Sequence, residues 1–259
     1  MLPSKSALRF FALVFALSIP FWVAGALTAR QLLPALPISA LGFLCPVAAA
    51  AILVYREKGI AGVTGLLKRS FDFNRIKAKA WLVVAIAVQP GVMSLSYLVI
   101  RLSGTPIPAP QVSLLTALIL LVAFFIAALG EELGWSGYIT DPLQDRFGAL
   151  LASLLLGSVW AVWHYIPLLQ AGRSPVFIAW WSLGTLSSRI LIVWLYNQSG
   201  KSVFLTAVFH AMINLTWQLF PVNGSFYDPR VTGLIEALVA AAVVIGWGPR
   251  WLSRARSSG

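Results

Sequence analysis

Long runs of apolar residues, separated by short polar segments, dominate the chain. A helix needs about 20 apolar residues to cross the hydrocarbon core of a bilayer. Runs of that size predict eight spans, at 10–29, 38–55, 80–100, 112–131, 149–168, 176–198, 202–220 and 231–249. The longest polar stretch, 56–79, is predicted to be a loop. The pattern therefore predicts an all-α, polytopic membrane helix bundle that forms a single integral-membrane domain over 1–259.

The composition supports the membrane interpretation. Of the 259 residues, 59% are hydrophobic and 10% are charged, whereas about 25% of the residues in a soluble domain are charged. So few charges argue against a soluble enzyme, a disordered chain and a nucleic-acid-binding protein. We expect the net charge of +11 to face anionic lipid, so the bilayer is an expected partner and nucleic acid is not.

The distribution of basic residues predicts the orientation. Eight spans place both termini on one side of the membrane, and Arg189 falls within the sixth span. The opposite side then receives only four basic residues, Arg30, Arg101, Arg173 and Arg230. The terminal side receives fourteen, namely Lys5, Arg9, Arg56, Lys58, Lys68, Arg69, Arg75, Lys77, Lys79, Arg146, Lys201, Arg250, Arg254 and Arg256. Because basic residues concentrate in cytoplasmic loops, both termini are predicted to be cytoplasmic. The short loops favour a prokaryotic plasma (inner) membrane.

Ionisable residues within the predicted spans indicate a functional site, because their burial in lipid costs several kcal/mol. Glu131 and Glu132 end the fourth apolar run, and the two histidines of the chain, His164 and His210, lie in the fifth and seventh. One buried histidine is usually a packing residue. Two histidines and a carboxylate pair are harder to explain by packing alone.

The spacing of these residues places them at similar depths. A helical hairpin is predicted to turn at 147–148, with Glu131 sixteen residues before Phe147 and His164 sixteen after Gly148. His210 lies nine residues beyond Lys201, which is about 13 Å along a helix. We therefore expect the three groups to meet in the cytoplasmic half of the bilayer.

Helical periodicity gives the two glutamates different surroundings. Glu131 shares a helix face with Trp135, four residues later, while Glu132 points about 100° away. His210 and Asn214 are also four residues apart and face the same direction. The two carboxylates are therefore predicted to have different roles.

The polar residues form three motifs that resemble those of the CPBP family of intramembrane proteases. This family includes the type II CAAX prenyl endopeptidases and Abi-like bacterial relatives linked to bacteriocin processing and immunity. Its motifs are Glu-Glu-x-x-Trp-Arg, Phe-x-x-x-His and His-x-x-x-Asn/Asp. The corresponding sequences are Glu-Glu-Leu-Gly-Trp-Ser at 131–136, Trp-Ala-Val-Trp-His at 160–164 and His-Ala-Met-Ile-Asn at 210–214. The resemblance implies a catalytic core over 112–220.

The resemblance also implies a mechanism, the hydrolysis of a peptide bond by activated water. Glu131 and His164 would position and deprotonate the water, and His210 and Asn214 would stabilise the oxyanion. Glu132 would have a supporting role. The implied substrate is a membrane-embedded peptide or the C-terminal segment of a protein, and its prenylation is left open.

Two departures from the family motifs concern the supporting residues. Ser136 replaces the usual Arg, and Trp160 replaces the usual Phe, where we expect simple packing. We hypothesise that Arg189 supplies the missing cation to Glu132, the alternative being that it snorkels or binds backbone carbonyls. Trp135 is assigned a supporting role as part of the first motif.

The cofactor requirement has two interpretations. Two histidines and one glutamate form a hydrolytic zinc site in other proteins, so Glu131, His164 and His210 could bind Zn²⁺. We favour a reaction without a cofactor, because Glu131 is needed as the base.

Two other functions compete with proteolysis. A non-catalytic immunity or scaffold protein would keep the fold, and the loss of the motif Arg at Ser136 favours it. A proton-coupled transporter would also contain buried Glu, His and Arg, but no inverted repeat is visible. A further acidic residue, Glu236, is expected to be solvated near the outer end of the last span.

Overall fold

The computed structural model describes residues 4–222 and 224–253, without the side chains of Ser4 and Lys5. The side chain of Lys5 and the residues Arg254 and Arg256, which contribute to the predicted charge asymmetry, therefore lie outside the described part. Within that part the chain is a polytopic helical bundle, as the sequence predicts.

Each of the eight predicted spans corresponds to one long helix, with ends that differ by at most three residues except in the first, which begins six residues earlier, and the second, which begins six residues later and ends thirteen later. The helices are α1 Ser4–Thr28, α2 Leu44–Lys68, α3 Ala80–Leu102, α4 Leu114–Gly134, α5 Thr140–Phe147, α6 Ala149–Gln170, α7 Pro175–Gln198, α8 Val203–Leu219 and α9 Pro229–Trp247. The short helix α5 continues α4 across a π-helical turn, Trp135–Ile139.

Seven helical stretches of the described residues are long and apolar enough to cross a membrane. The eighth apolar helix, α8, has 17 residues, or about 25 Å of helix. It lies at the lower limit for a span and is largely buried by its neighbours. Many large apolar side chains of the other helices, above all of α4, are exposed on the outside of the bundle, as a lipid-facing surface requires. The chain is an integral membrane protein.

The prediction that 56–79 is a loop is wrong for its first half. Helix α2 continues to Lys68 after a break at Gly59, whose φ of 61° and ψ of −160° only glycine adopts without strain. Beyond this break the helix buries Leu66 and leaves Ile60 and Leu67 exposed, so a helix forms where the sequence predicted a loop. Two short 3₁₀ turns follow, Arg69–Phe71 and Phe73–Arg75.

The segment between α1 and α2 also differs from an all-helical prediction. It contains a small antiparallel hairpin, β1 Gln31–Leu33 and β2 Leu36–Pro37, followed by a 3₁₀ helix, Ile38–Phe43. The second span was predicted to begin at 38, but its α-helical part begins at Leu44. This segment covers one end of the cavity described below.

The π-helical turn lies just after the paired glutamates. The backbone N–H of Thr140 donates to the carbonyl of Trp135, and the hydroxyl of Thr140 donates to the same carbonyl at 2.8 Å. Pro142, two residues into α5, cannot donate a backbone hydrogen bond to the preceding turn. Such turns occur frequently at functional sites, and this one reorients the chain between the first motif and the α5–α6 turn.

The α5–α6 hairpin turns at Gly148, as predicted. Gly148 has a φ of +77°, and the backbone N–H of Ala149 donates to the carbonyl of Arg250 at 2.8 Å. Helix α6 therefore runs back along α4 and α5 and brings the second motif beside the first.

Candidate active site

Glu131, at the end of α4, is held by two tryptophans. Its Oε2 accepts hydrogen bonds from the indole nitrogens of Trp135 at 3.3 Å and Trp160 at 2.8 Å. The residue is 6% exposed and lines a cavity of about 450 Å³ with a mostly apolar wall. Two N–H donors on one oxygen fix the orientation of the carboxyl group.

His164, on α6, lines the same cavity. Its Nδ1 lies 2.9 Å from the carbonyl oxygen of Trp160. Since a carbonyl only accepts hydrogen bonds, Nδ1 carries the proton, and in the neutral ring Nε2 is an acceptor. The ring packs at nearly right angles against Trp160 and Trp163, which restricts its rotation.

His210, on α8, binds the second glutamate of the first motif. Its Nδ1 lies 3.0 Å from Glu132 Oε1, and Arg189 Nη1 lies 3.1 Å from Glu132 Oε2. The hydroxyl of Ser136 donates to the same Oε2. Glu132 and Arg189 are both fully buried. Arg189 and Glu132 are therefore in contact, as the hypothesis requires, and Ser136, at the motif position of Arg, donates to the same carboxyl group.

Asn214 lies one turn after His210 and also lines the cavity. Its side-chain amide has no hydrogen-bond partner in the described part of the chain. The two N–H groups of the amide are thus available to a bound molecule.

Trp160 connects the parts of the site, and the expectation that it only packs is wrong. Its indole N–H binds Glu131, its carbonyl binds His164, and its ring stacks under the guanidinium of Arg189 at 4.2 Å from the centroid. The ring also lies 5.1 Å from the ring of His210. Sequence periodicity showed which helix face Trp160 occupies, but it did not show these partners on other helices.

The cavity separates the predicted residues into two groups. Its wall includes the four predicted to be catalytic, Glu131, His164, His210 and Asn214. The three predicted to be supporting, Glu132, Trp135 and Arg189, lie behind that wall. This arrangement provides the Glu131 carboxyl group and two imidazoles at the surface of a mostly apolar pocket, with an ion pair behind them.

The predicted location of Glu236 is wrong. Glu236, on α9, is not solvated at the membrane surface but is 5% exposed and lines the cavity. Its Oε1 accepts hydrogen bonds from Gln89 Nε2 at 2.9 Å and from Ser188 Oγ at 3.2 Å. The sequence signal was present, since Gln89 and Glu236 are both polar residues within predicted spans, but nothing local to either indicated that they meet.

A zinc site formed by Glu131, His164 and His210 does not fit the geometry of the described residues. Among them, no three His, Cys, Asp or Glu side chains are grouped as metal ligands. The Nδ1 atoms of both histidines bind groups of the protein, which leaves Nε2 as the nitrogen of each ring without a partner in the described part of the chain.

Comparison with known proteins identifies the family. Residues 113–216 match the family model described as "Type II CAAX prenyl endopeptidase Rce1-like". The chain is 30% identical to "CAAX prenyl protease 2" of Methanococcus maripaludis over 223 residues, which cover 79% of each chain. The chain belongs to the type II CAAX prenyl endopeptidase family. As a CAAX-type endopeptidase it is an intramembrane peptidase, which confirms the resemblance found in the three motifs.

The region matched by the CAAX endopeptidase model contains all of the predicted site residues. Gln89 and Glu236 lie outside it, on α3 and α9. Gln89 and Glu236 are therefore not part of the matched endopeptidase core, whereas Ser188, which binds Glu236, lies within it.

Proposed function

We propose that this chain cleaves a peptide bond near the C-terminus of a membrane-associated protein, with Glu131 as the base that activates water. One observation carries the proposal. The carboxyl group of Glu131, oriented by two indole N–H groups, faces the same cavity as His164, His210 and Asn214. Peptide hydrolysis needs a base and hydrogen-bond donors around one reacting carbonyl, and this cavity provides them.

The base and the water are positioned on one side of the reacting carbonyl. Glu131 accepts one proton of the water while Nε2 of neutral His164 accepts a hydrogen bond from the other. The water oxygen then adds to the carbonyl carbon. When the tetrahedral intermediate collapses, Glu131 returns the proton to the departing amide nitrogen, so the protonation state of the site is restored.

Asn214 and His210 stabilise the oxyanion in this proposal, with one change from the sequence-based expectation. Because Glu132 occupies Nδ1 of His210, a neutral ring would present only a lone pair to the cavity. To donate from Nε2 as well, the ring must carry a proton on each nitrogen, beside Glu132, which also pairs with Arg189. The amide of Asn214 supplies the second donor.

The substrate class and the membrane location are further parts of the proposal. The name of the relative associates that protein with CAAX prenyl substrates, and the apolar cavity can accommodate hydrocarbon. We propose a C-terminal segment with a prenylated cysteine as substrate. The charge asymmetry supports cytoplasmic termini and a catalytic centre in the cytoplasmic half of a prokaryotic plasma membrane.

The test uses purified chain in proteoliposomes with a peptide that ends in a prenylated cysteine and three further residues, and an unprenylated control. Mass spectrometry should find the shortened prenylated peptide, and His164→Ala should lower the cleavage rate at least about 100-fold. Folded protein that leaves both peptides intact would contradict the proposal, and proton-coupled uptake would favour a transporter. Equal cleavage of both peptides would show that the chain does not recognise the prenyl group of its substrate.

Chelation is a separate arm of this test. We expect cleavage to persist after exhaustive treatment with a chelator. Loss of cleavage that added Zn²⁺ restores would contradict the assignment of Glu131 as a base free of metal.

A further inference from the structure

A second carboxyl group, that of Glu236, faces the cavity with one oxygen free. Its Oε1 binds Gln89 of α3 and Ser188 of α7, which fixes the orientation of the group. Its Oε2 has no hydrogen bond within the described residues and lies against Gly184, where an added Cβ would come within 2.7 Å of it. The glycine therefore leaves the space beside this oxygen open.

Thr232 provides a second buried polar group without a partner. It lies one turn before Glu236 on α9, is 2% exposed and lines the cavity. Its Oγ1 makes no hydrogen bond in the described part of the chain. Because buried polar atoms are nearly always hydrogen-bonded in native proteins, an oxygen pair of this kind indicates a ligand that completes it.

The charge of Glu236 has no counterion among the described residues. Glu132 is neutralised by Arg189, but no ion pair involves Glu236. The nearby Tyr227 does not supply a charge, because burial, and after it the Glu236 carboxylate, raise the pKa of its phenol. Ionising a buried carboxyl group that has no cation beside it is costly, so a bound cation would stabilise the ionised form.

Aromatic rings line the cavity that Glu236 faces. Trp181, Trp217 and Tyr227 are among its lining residues, and the phenol of Tyr227 lies near the Glu236 carboxyl group. Carboxylates combined with aromatic rings bind ammonium and guanidinium groups, through charge pairing and cation–π contacts.

Helix α7 places this group beside the catalytic centre. Ser188, which binds Glu236, and Arg189, which binds Glu132, are consecutive residues, with Cα atoms about 3.8 Å apart. The residues that hold Glu132 and Glu236 are therefore neighbours on one helix, and Glu131 and Glu236 face one cavity. A molecule that fills the cavity meets both carboxyl groups.

We propose that Glu236 and Thr232 form a specificity subsite for a lysine or arginine side chain of the substrate, an inference that rests on the proposed peptidase function for its biological role. Glu236 binds the cation, Thr232 accepts one of its hydrogen bonds, and Gly184 provides the space. The subsite selects the peptide; it does not take part in the hydrolysis.

The experiment compares prenylated peptides that differ only by lysine or norleucine, placed at one position at a time around the scissile bond. Cleavage in proteoliposomes gives kcat/KM, and quenching of tryptophan fluorescence gives Kd even for a peptide that is not cleaved. Wild-type chain should bind or cleave one lysine peptide at least about tenfold better than its norleucine partner, a preference that corresponds to about 1.4 kcal/mol.

Three variants test the assignment, and the thermal unfolding midpoint checks their folding. Glu236→Gln and Gly184→Ala should abolish the lysine preference, and Thr232→Val should lower it several-fold. The control Ser187→Ala removes a hydroxyl group of the same helix that binds only the carbonyl of Leu183 and does not line the cavity, so it should retain the preference. A structural role alone would lower the unfolding midpoint without changing the ratio between the two peptides.

The outcomes separate this inference from the peptidase function. Lysine preference in binding without any cleavage would support the subsite and contradict the peptidase. Cleavage without lysine preference at any position, or a preference that persists in folded Glu236→Gln, would overturn the subsite and leave the peptidase in place.

Discussion

At the scale of single residues, two adjacent glutamates have opposite surroundings. Glu131 faces the cavity and is bound by uncharged indole donors, whereas Glu132 is fully buried between Arg189 and His210. The separation follows from the rotation of about 100° between consecutive helical residues, so the sequence predicted that the two would differ. Trp135 and Ser136, four residues after each glutamate, are partners from the same motif. The other partners come from α6, α7 and α8, and only the structure identifies them.

The ion pair behind the cavity should be needed for stability. Arg189→Leu would leave Glu132 buried beside His210 without its strongest partner, and breaking such a pair typically costs about 3–5 kcal/mol. Thermal unfolding in lipid nanodiscs should show a large decrease in the midpoint for this variant and a partial recovery in Glu132→Gln/Arg189→Leu. The control Arg146→Leu replaces an exposed arginine and should change the stability by less than about 0.5 kcal/mol. Equal midpoints for Arg189→Leu and the control would show that the pair is not stabilising.

The two indole donors on Glu131 should partly substitute for each other. Trp135→Phe or Trp160→Phe removes one N–H group and keeps a large ring, so each should lower kcat by less than about tenfold, since one neutral hydrogen bond contributes about 1 kcal/mol. The double variant should lose more than the product of the two single effects, because nothing then orients the carboxylate.

The matched control for these variants is Trp163→Phe, which removes an indole N–H that binds Ser18 Oγ at 2.7 Å. It should leave the coupling between the other two tryptophans unchanged. Strict multiplicativity of the two single effects on kcat would argue against the joint role of the indoles.

At the scale of helices, α4 carries the catalytic carboxylate and is held close to the segment that begins α2. A Cβ on Gly130 would lie 2.8 Å from the ring of Phe43, and one on Gly134 would lie 2.5 Å from the carbonyl oxygen of Pro46. Glycine at these two positions allows the backbones to approach, as small residues do between membrane helices. This contact sets the position of the helix end that bears Glu131.

Gly134→Ala should therefore destabilise the bundle. The added methyl group meets backbone rather than a flexible side chain, so a cost of about 1–3 kcal/mol is expected, measured as a lower unfolding midpoint with reduced cleavage. Gly91→Ala is the control, because a Cβ there meets nothing within 4 Å and alanine favours helix. A midpoint for Gly134→Ala as high as that of Gly91→Ala would contradict the close packing.

Most helix ends could be predicted to within a few residues. An apolar run long enough to span a bilayer is recognised from its own residues, without knowledge of the helices that pack against it. The helical part of 56–68 was missed because charge dominated the pattern there, although Leu66 is buried. Glu236 was misplaced for another reason. Its partners, Gln89 and Ser188, are 147 and 48 residues away along the chain, and sequence periodicity gives a helix face but not the helix opposite.

At the scale of the whole molecule, the orientation in the membrane can be measured with single cysteines. The one native cysteine, Cys45, is buried and should give little background. In right-side-out vesicles, a membrane-impermeant maleimide should label Thr105→Cys directly, and Lys77→Cys only after permeabilisation. Both positions are exposed. The reverse pattern would show that the termini face outward.

The central claim is that Glu131, and not its neighbour, activates the water. The most direct measurement is kcat for Glu131→Gln in proteoliposomes, with the unfolding midpoint checked against wild type. The amide oxygen can still accept from both indoles, so the variant should fold normally and lose at least about 100-fold in kcat. A folded Glu131→Gln that cleaves at a rate close to wild type would show that the base lies elsewhere.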